Sequence, residues 1–278
     1  MTLEIYEVGV RDGLQNSSFH ITTEEKKYMV ESLYNAGLKQ MEITSFVNPK
    51  LVPQMADAKE IFEATKHLDD FDVLIPNKKG LQNAQEVGAK NFNVFFSVSN
   101  SFNLRNLNKN LDEIYSELHS MLEDINKENI RVYISCAFGC PIENKPKEKD
   151  LVNAIEKASM LGKEVVLCDT IGVAHPTQIL QTLELTRKAD CEIALHLHQN
   201  KEIKRDIFSN VKAAVDWGVG KFDSSIAGLG GCPFIPKSGS NLSTNKLIQW
   251  AYDNNYETNI ELEDLNEVTA WVQNKRGF

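Results

Sequence analysis

The stretch EVVLCDTIGVAHPTQILQTLELTRKADCEIALHLH, Glu164 to His198, decides the fold. It opens with a short apolar, β-branched run, Glu164–Cys168, and closes with another, Glu192–His198; both have strand length and composition. Between them a helix starts at Pro176, a residue suited to a first turn, and runs to about Lys188. Strand, helix, strand is one unit of a parallel sheet. Working outward, six more strand-like runs appear: Leu3–Val8, Gln40–Phe46, Phe71–Ile75, Asn91–Val98, Arg131–Phe138 and Lys221–Ile226. Helical spacing fills the intervals. Thr23–Ala36 has Thr22 or Thr23 as a cap, Glu24 and Glu25 at its positive start and Gly37 as its stop. Leu111 to Asn126 carries Leu111, Ile114, Tyr115, Leu118, Met121, Leu122 and Ile125 on one face, and Phe208 to Trp217 ends at Gly218. Eight such units in 278 residues predict an α/β chain closed as a (β/α)8 TIM barrel. An open doubly wound sheet would want a Gly-x-Gly-x-x-Gly turn after its first strand, and none is there. No composition break divides the chain. It reads as one catalytic domain over 1–278, with the barrel over about 1–235 and closing and extra C-terminal helices over about 236–278.

Composition narrows the function. Thirty Lys+Arg against thirty-nine Asp+Glu give a formal charge of −9, which repels a phosphate backbone and speaks against nucleic-acid partners. Lysines in Glu143–Asp150 keep a local phosphate contact open. The five cysteines, 136, 140, 168, 191 and 232, are odd in number and have no Cys-x-x-Cys pair, so reduced thiols in a cytoplasmic protein are expected. The N-terminus lacks the pattern of a secretory signal. No apolar run approaches the roughly 20 residues of a membrane span, so no membrane partner is expected.

In a barrel of this class the active site lies at the carboxyl ends of the strands. The first strand ends in Glu7-Val8-Gly9-Val10-Arg11-Asp12-Gly13-Leu14-Gln15. An adjacent cation and carboxylate there suit metal binding plus stabilisation of an oxyanion, or else a surface ion pair. His196 and His198, two apart on a strand, point to the same face and can reach one divalent cation. Mixed nitrogen and oxygen donors leave Mg²⁺ and Mn²⁺ both open. The last strand is followed by Gly228-Leu229-Gly230-Gly231-Cys232-Pro233, a glycine-rich loop able to approach a ligand. Cys232 is the thiol placed for acid–base or nucleophilic work; the other four suit packing. Glu42 and Asp169 are further carboxylates near strand ends, and Gln15, Thr44, Ser97 and Ser135 are candidates to line the cavity.

These segments, together with Glu42-Ile43-Thr44-Ser45-Phe46-Val47-Asn48-Pro49-Lys50, Ser135-Cys136…Gly139-Cys140-Pro141 and Asp169-Thr170-Ile171-Gly172-Val173, resemble the 3-hydroxy-3-methylglutaryl-CoA lyase family of metallolyase barrels. The Arg-Asp start and His-x-His alone would equally fit the related Claisen-type synthases; the Gly-Leu-Gly-Gly-Cys-Pro loop points to the lyase branch. The resemblance implies cleavage of 3-hydroxy-3-methylglutaryl-CoA, or a close 3-hydroxyacyl-CoA, to acetyl-CoA and acetoacetate or the analogous keto product. It implies a divalent cation, Mg²⁺ or Mn²⁺, on Asp12, His196, His198 and Asn241. It further implies Arg11 at the enolate oxygen, Cys232 in proton transfer, and Glu42 and Asp169 in support of the metal site and the hydroxyl proton. An acyl-CoA substrate and a homodimer follow from the same resemblance.

The sequence departs from the family's pattern at four places. Gln199-Asn200-Lys201-Glu202 stands where Asp-Thr-Tyr-Gly is usual, Ser17 where Glu is frequent, and Val10 where a proline is usual. In Ser238-Gly239-Ser240-Asn241 the glycine is displaced by one. A condensing synthase and a non-catalytic acyl-CoA or metal-binding relative are the competing readings. The first would want a large C-terminal regulatory region; the second is motivated by the altered stretch after His198.

Overall fold

In the computed structural model, residues 2–200, 202–203, 205–231 and 239–277 are described. All eight expected strands form: β1 (Glu4–Glu7), β2 (Glu42–Ser45), β3 (Asp72–Leu74), β4 (Asn91–Ser97), β5 (Ile130–Ser135), β6 (Glu164–Asp169), β7 (Glu192–Asn200) and β8 (Lys221–Ser224). A short β9 (Gly239–Asn241) follows. The helices are α1 (Thr23–Asn35), α2 (Ala58–Thr65), α3 (Lys78–Glu86), α4 (Asn100–Leu107), α5 (Leu111–Leu122), α6 (Glu148–Leu161), α7 (Pro176–Glu184), α8 (Ile207–Trp217), α9 (Thr244–Asp253) and α10 (Asn266–Arg276). The strand order is β1-β8-β7-β6-β5-β4-β3-β2. Glu7 of β1 also bridges Met41, just before β2, in parallel. The fold is a (β/α)8 TIM barrel with additional C-terminal helices. Among the described residues, no helix is long and apolar enough to cross a membrane.

Two compact parts are distinguished. One comprises residues 2–91, 221–231 and 240–277. Here β1 pairs with β8 in the register Ile5↔Phe222 and Glu7↔Ser224, and β2 pairs with β3. Thr22 caps α1 by accepting from the Glu25 amide, and the Glu25 carboxylate accepts from the Thr22 amide, a reciprocal capping box. The helix buries Met29, Val30 and Leu33 and packs against α2 and α10. Its outer edge is fastened by Tyr28 against Trp271, ring centroids 5.3 Å apart.

The other part spans residues 92–220. Its strands β4 to β7 pair in parallel, with Val132↔Val165 and Leu167↔Leu195 in register. Parallel strands covered on both faces bury nearly every side chain, so they read as continuous apolar runs. Each fully buried Val or Leu contributes about 1.5–3 kcal/mol. A buried ion pair, Arg131 to Glu164, sits among them, and Arg131 also donates to the Tyr133 hydroxyl at 2.6 Å. The run expected to reach Phe138 stops as a strand at Ser135, because Cys136 takes a left-handed φ of 62° and turns the chain. β7, in contrast, continues two residues past His198.

Candidate active site

In the first part, the chain leaves β1 through a π-helical turn, Gly9–Gly13, which carries Arg11 and Asp12. π-turns are rare and cluster at functional sites. Arg11 is buried, with its Nε on the Glu42 carboxylate of β2. Its Nη1 donates to Asp12 Oδ1 at 2.8 Å and to Gln15 Oε1 at 3.4 Å. Glu42 is fully buried, so the guanidinium is held in one orientation between two carboxylates. The sequence left Arg11–Asp12 open as a surface ion pair; burial and the Glu42 contact remove that reading.

Asn241, at the end of β9, reaches the same place. Its Nδ2 donates to Asp12 Oδ2 at 2.8 Å and to the Leu229 carbonyl at 2.9 Å. Its Oδ1 is buried and has no hydrogen-bond partner among the described residues. The displaced glycine at 239 does not carry Asn241 away from Asp12. A buried amide oxygen left without a donor is costly, about 1–3 kcal/mol, and an oxygen donor of this kind suits a hard divalent cation. The glycine-rich loop closes over this turn: Gly228, Gly230 and Gly231 have φ of 64°, 79° and 145°. Cys232 and Ser238 lie outside the described residues.

In the second part, β7 presents His196 and His198, both buried, with ring centroids 4.9 Å apart. His198 Nδ1 lies 2.9 Å from the Asp169 carbonyl oxygen. A carbonyl can only accept, so Nδ1 carries the proton and the lone pair is on Nε2, the arrangement of a metal-ligating histidine. Tyr133 stands edge-on to His196 at 6.1 Å. Asp169 acts on this site through its main chain. Its carboxylate accepts from the amides of Val173 at 3.0 Å and Ala174 at 2.9 Å, which fixes the loop after β6. Burial pushes its pKa up to about 6, against the lowering effect of those amides. Gly172, φ 64°, lets this loop lie against β7, where a Cβ would stand 2.9 Å from the His198 carbonyl.

The first part thus offers the Asp12 carboxylate and the second the buried His196 and His198 imidazoles, donor types that suit a divalent cation. Of the other polar residues suggested by the sequence, Ser97 uses its hydroxyl locally, donating to the Ser135 carbonyl at 3.2 Å and accepting from the Ser99 amide at 3.1 Å. Thr44 is buried against Met55. Cys136, Cys140 and Cys168 are buried, as expected of packing thiols, and burial pushes the Cys136 thiol up to about 12.

The HMGL-like family model matches residues 2–272. The chain belongs to the HMGL-like family. This HMGL-like protein is 37% identical to a hydroxymethylglutaryl-CoA lyase of Bacillus subtilis, over 98% of this chain and 93% of that one. A crystal structure of the B. subtilis HMG-CoA lyase superposes with a TM-score of 0.92 at 35% identity, covering 99% of this chain and 94% of that one. An HMG-CoA lyase from A. baumannii, solved in complex with coenzyme A and 3-methylmalate, superposes with a TM-score of 0.90 at 30% identity, covering 99% and 92%.

Two features of the HMGL-like site escaped the sequence reading. Glu7 looked like an ordinary strand residue, although a carboxylate inside an apolar strand is itself a signal. Tyr133, read only as part of a strand, backs a histidine ring.

Proposed function

We propose that the chain is a divalent-metal-dependent carbon–carbon lyase that cleaves 3-hydroxy-3-methylglutaryl-CoA to acetyl-CoA and acetoacetate. The observation that carries this reading is the Arg11–Asp12 turn clamped by the buried Glu42, together with the buried His196–His198 pair, in a chain that belongs to this family. The relatives' named activity and the coenzyme A complex of the A. baumannii lyase support an acyl-CoA substrate.

Asp12, His196, His198 and Asn241 would hold the cation, and the Asn241 Oδ1, buried without a hydrogen-bond partner among the described residues, fits that role. A bound Mg²⁺ or Mn²⁺ supplies Lewis-acid polarisation of substrate oxygens and favours loss of the C3 hydroxyl proton. As the bond between C2 and C3 breaks, its electron pair passes to the thioester carbonyl and charge builds on the enolate oxygen. Arg11 is preorganised to meet that charge, since Glu42 and Asp12 already fix its guanidinium and no reorganisation is needed during the reaction. The enolate carbon then takes a proton to give acetyl-CoA. Cys232 is the proposed donor, since a thiol that carries its proton can deliver it to the enolate carbon. Asp169 positions His198, and Glu42 positions Arg11.

The test is acetoacetate release from 3-hydroxy-3-methylglutaryl-CoA by protein stripped of metal, with and without added Mg²⁺ or Mn²⁺. Product is expected only when metal is restored. Absence of any metal-dependent product overturns the proposal.

A further inference from the structure

Glu7 is the last residue of β1 and is fully buried. Its Oε1 accepts from the Gly9 amide at 2.7 Å and from the Ile226 amide at 2.9 Å. Its Oε2 accepts from the Thr244 hydroxyl at 2.6 Å, and that hydroxyl lies 2.8 Å from the Ser224 hydroxyl. The three donors belong to three segments that serve the site. Gly9 opens the π-turn that carries Arg11 and Asp12. Ile226 opens the short turn leading into Gly228–Gly231. Thr244 opens α9, three residues after Asn241. The carboxylate is tightly housed, since a Cβ at Gly9 would stand 2.5 Å from Oε1.

We infer that Glu7 is a positioning residue for the reaction, a single carboxylate that sets the Arg11–Asp12 turn, the glycine-rich loop and the Asn241 segment relative to one another. It touches none of the reacting atoms in the proposed chemistry and acts through Asp12 and Asn241. A buried carboxylate is a costly way to join backbone segments, because charge resists burial. Its place in the β1–β8 ladder, opposite Ser224, draws on the backbone alone, which a residue of any side chain supplies. What Glu7 supplies is one side chain whose two terminal polar atoms reach all three segments at once, Oε1 taking both backbone amides and the other atom meeting the Thr244 hydroxyl. The inference rests on the proposed lyase reading for its catalytic consequence but not for its structural one.

The experiment compares Glu7→Ala, Glu7→Gln and a comparator core variant, Ile155→Ala, whose side chain is buried in α6 far along the chain. Three readouts are taken: amide hydrogen exchange, Mn²⁺ affinity by titration calorimetry, and kcat with KM. In Glu7→Ala, exchange over residues 9–15 and 226–231 is expected to quicken at least tenfold. Mn²⁺ affinity and kcat should each fall about 10- to 100-fold, the range for residues that orient metal ligands, with KM within threefold. Glu7→Gln keeps the shape and one acceptor oxygen, and should return all three readouts to within about threefold of wild type. Ile155→Ala should lower thermal stability without speeding exchange at either segment. Wild-type exchange at both segments in Glu7→Ala overturns the inference, and so does equal loss in Ile155→Ala. If wild-type protein releases no acetoacetate, the lyase reading fails, while the exchange readout still decides the role of Glu7.

Discussion

Gly230 shows how little room the glycine-rich loop leaves above the Arg11–Asp12 turn. A Cβ there would stand 2.7 Å from Gly13 Cα, 2.9 Å from the Asp12 carbonyl and 3.0 Å from Asn241 Nδ2, and φ is +79°. Gly88 separates the two costs, since its φ is +91° but a Cβ there would meet nothing within 4 Å. Both alanine variants should therefore lose about 1–3 kcal/mol from backbone strain, read by urea denaturation. Only Gly230→Ala should also lose kcat, by at least about tenfold, because its methyl pushes on Asp12 and Asn241. Equal kcat in the two variants would remove the loop from the proposed machinery. Sequence alone marks Gly228, Gly230 and Gly231 as permissive residues near a ligand. It does not say that Gly230 presses on Gly13, because that contact joins positions more than two hundred residues apart. Arg11, Asp12, His196 and His198 were legible for the opposite reason: strand ends and two-residue spacing are local properties.

Among the elements, the eight strands were legible because strands buried on both faces become unbroken apolar runs. The π-turn Gly9–Gly13 was not, since a single wide turn has no periodicity to detect. The chain just beyond the altered stretch Gln199–Glu202 has a definite physical role. Arg205 donates to the carbonyls of Val173 at 2.9 Å and Ala174 at 2.6 Å, and Asn210 donates to the Ala174 carbonyl at 3.0 Å. Val173 and Ala174 are the residues whose amides bind the Asp169 carboxylate, and the Asp169 carbonyl holds His198. The segment leading into α8 thus braces the loop that orients a proposed ligand. Arg205→Ala should cost about 2 kcal/mol of stability and lower kcat up to about tenfold. It should also speed amide exchange over residues 169–174. Unchanged exchange there, measured by mass spectrometry, would reduce Arg205 to a surface residue.

For the whole molecule, the balance of charge sets a pH dependence whose sign can be worked out. Half-buried carboxylates such as Glu25, held below the usual range chiefly by Lys275, stabilise the fold at neutral pH and lose that contribution as pH falls through their lowered pKa. Glu7 does the reverse. Burial, with the nearby Asp223 charge adding to it, raises its pKa from 4.5 to about 7, although Thr244 and the amides of Ile226 and Gly9 pull it down. The native state therefore holds the proton more tightly than the unfolded chain. The resulting stability is fully present below pH 4.5 and is lost as pH rises through about 7. A shift of that size corresponds to roughly 3 kcal/mol at 1.36 kcal/mol per pH unit. Glu7→Gln removes the titration and leaves the other carboxylates in place. Its stability relative to wild type should therefore climb by roughly that amount between pH 4.5 and pH 8, measured by urea denaturation at half-unit steps. A flat difference would mean that the three donors offset the burial completely and that Glu7 is ionised throughout. Its carboxylate would then join the three segments as a fully charged acceptor.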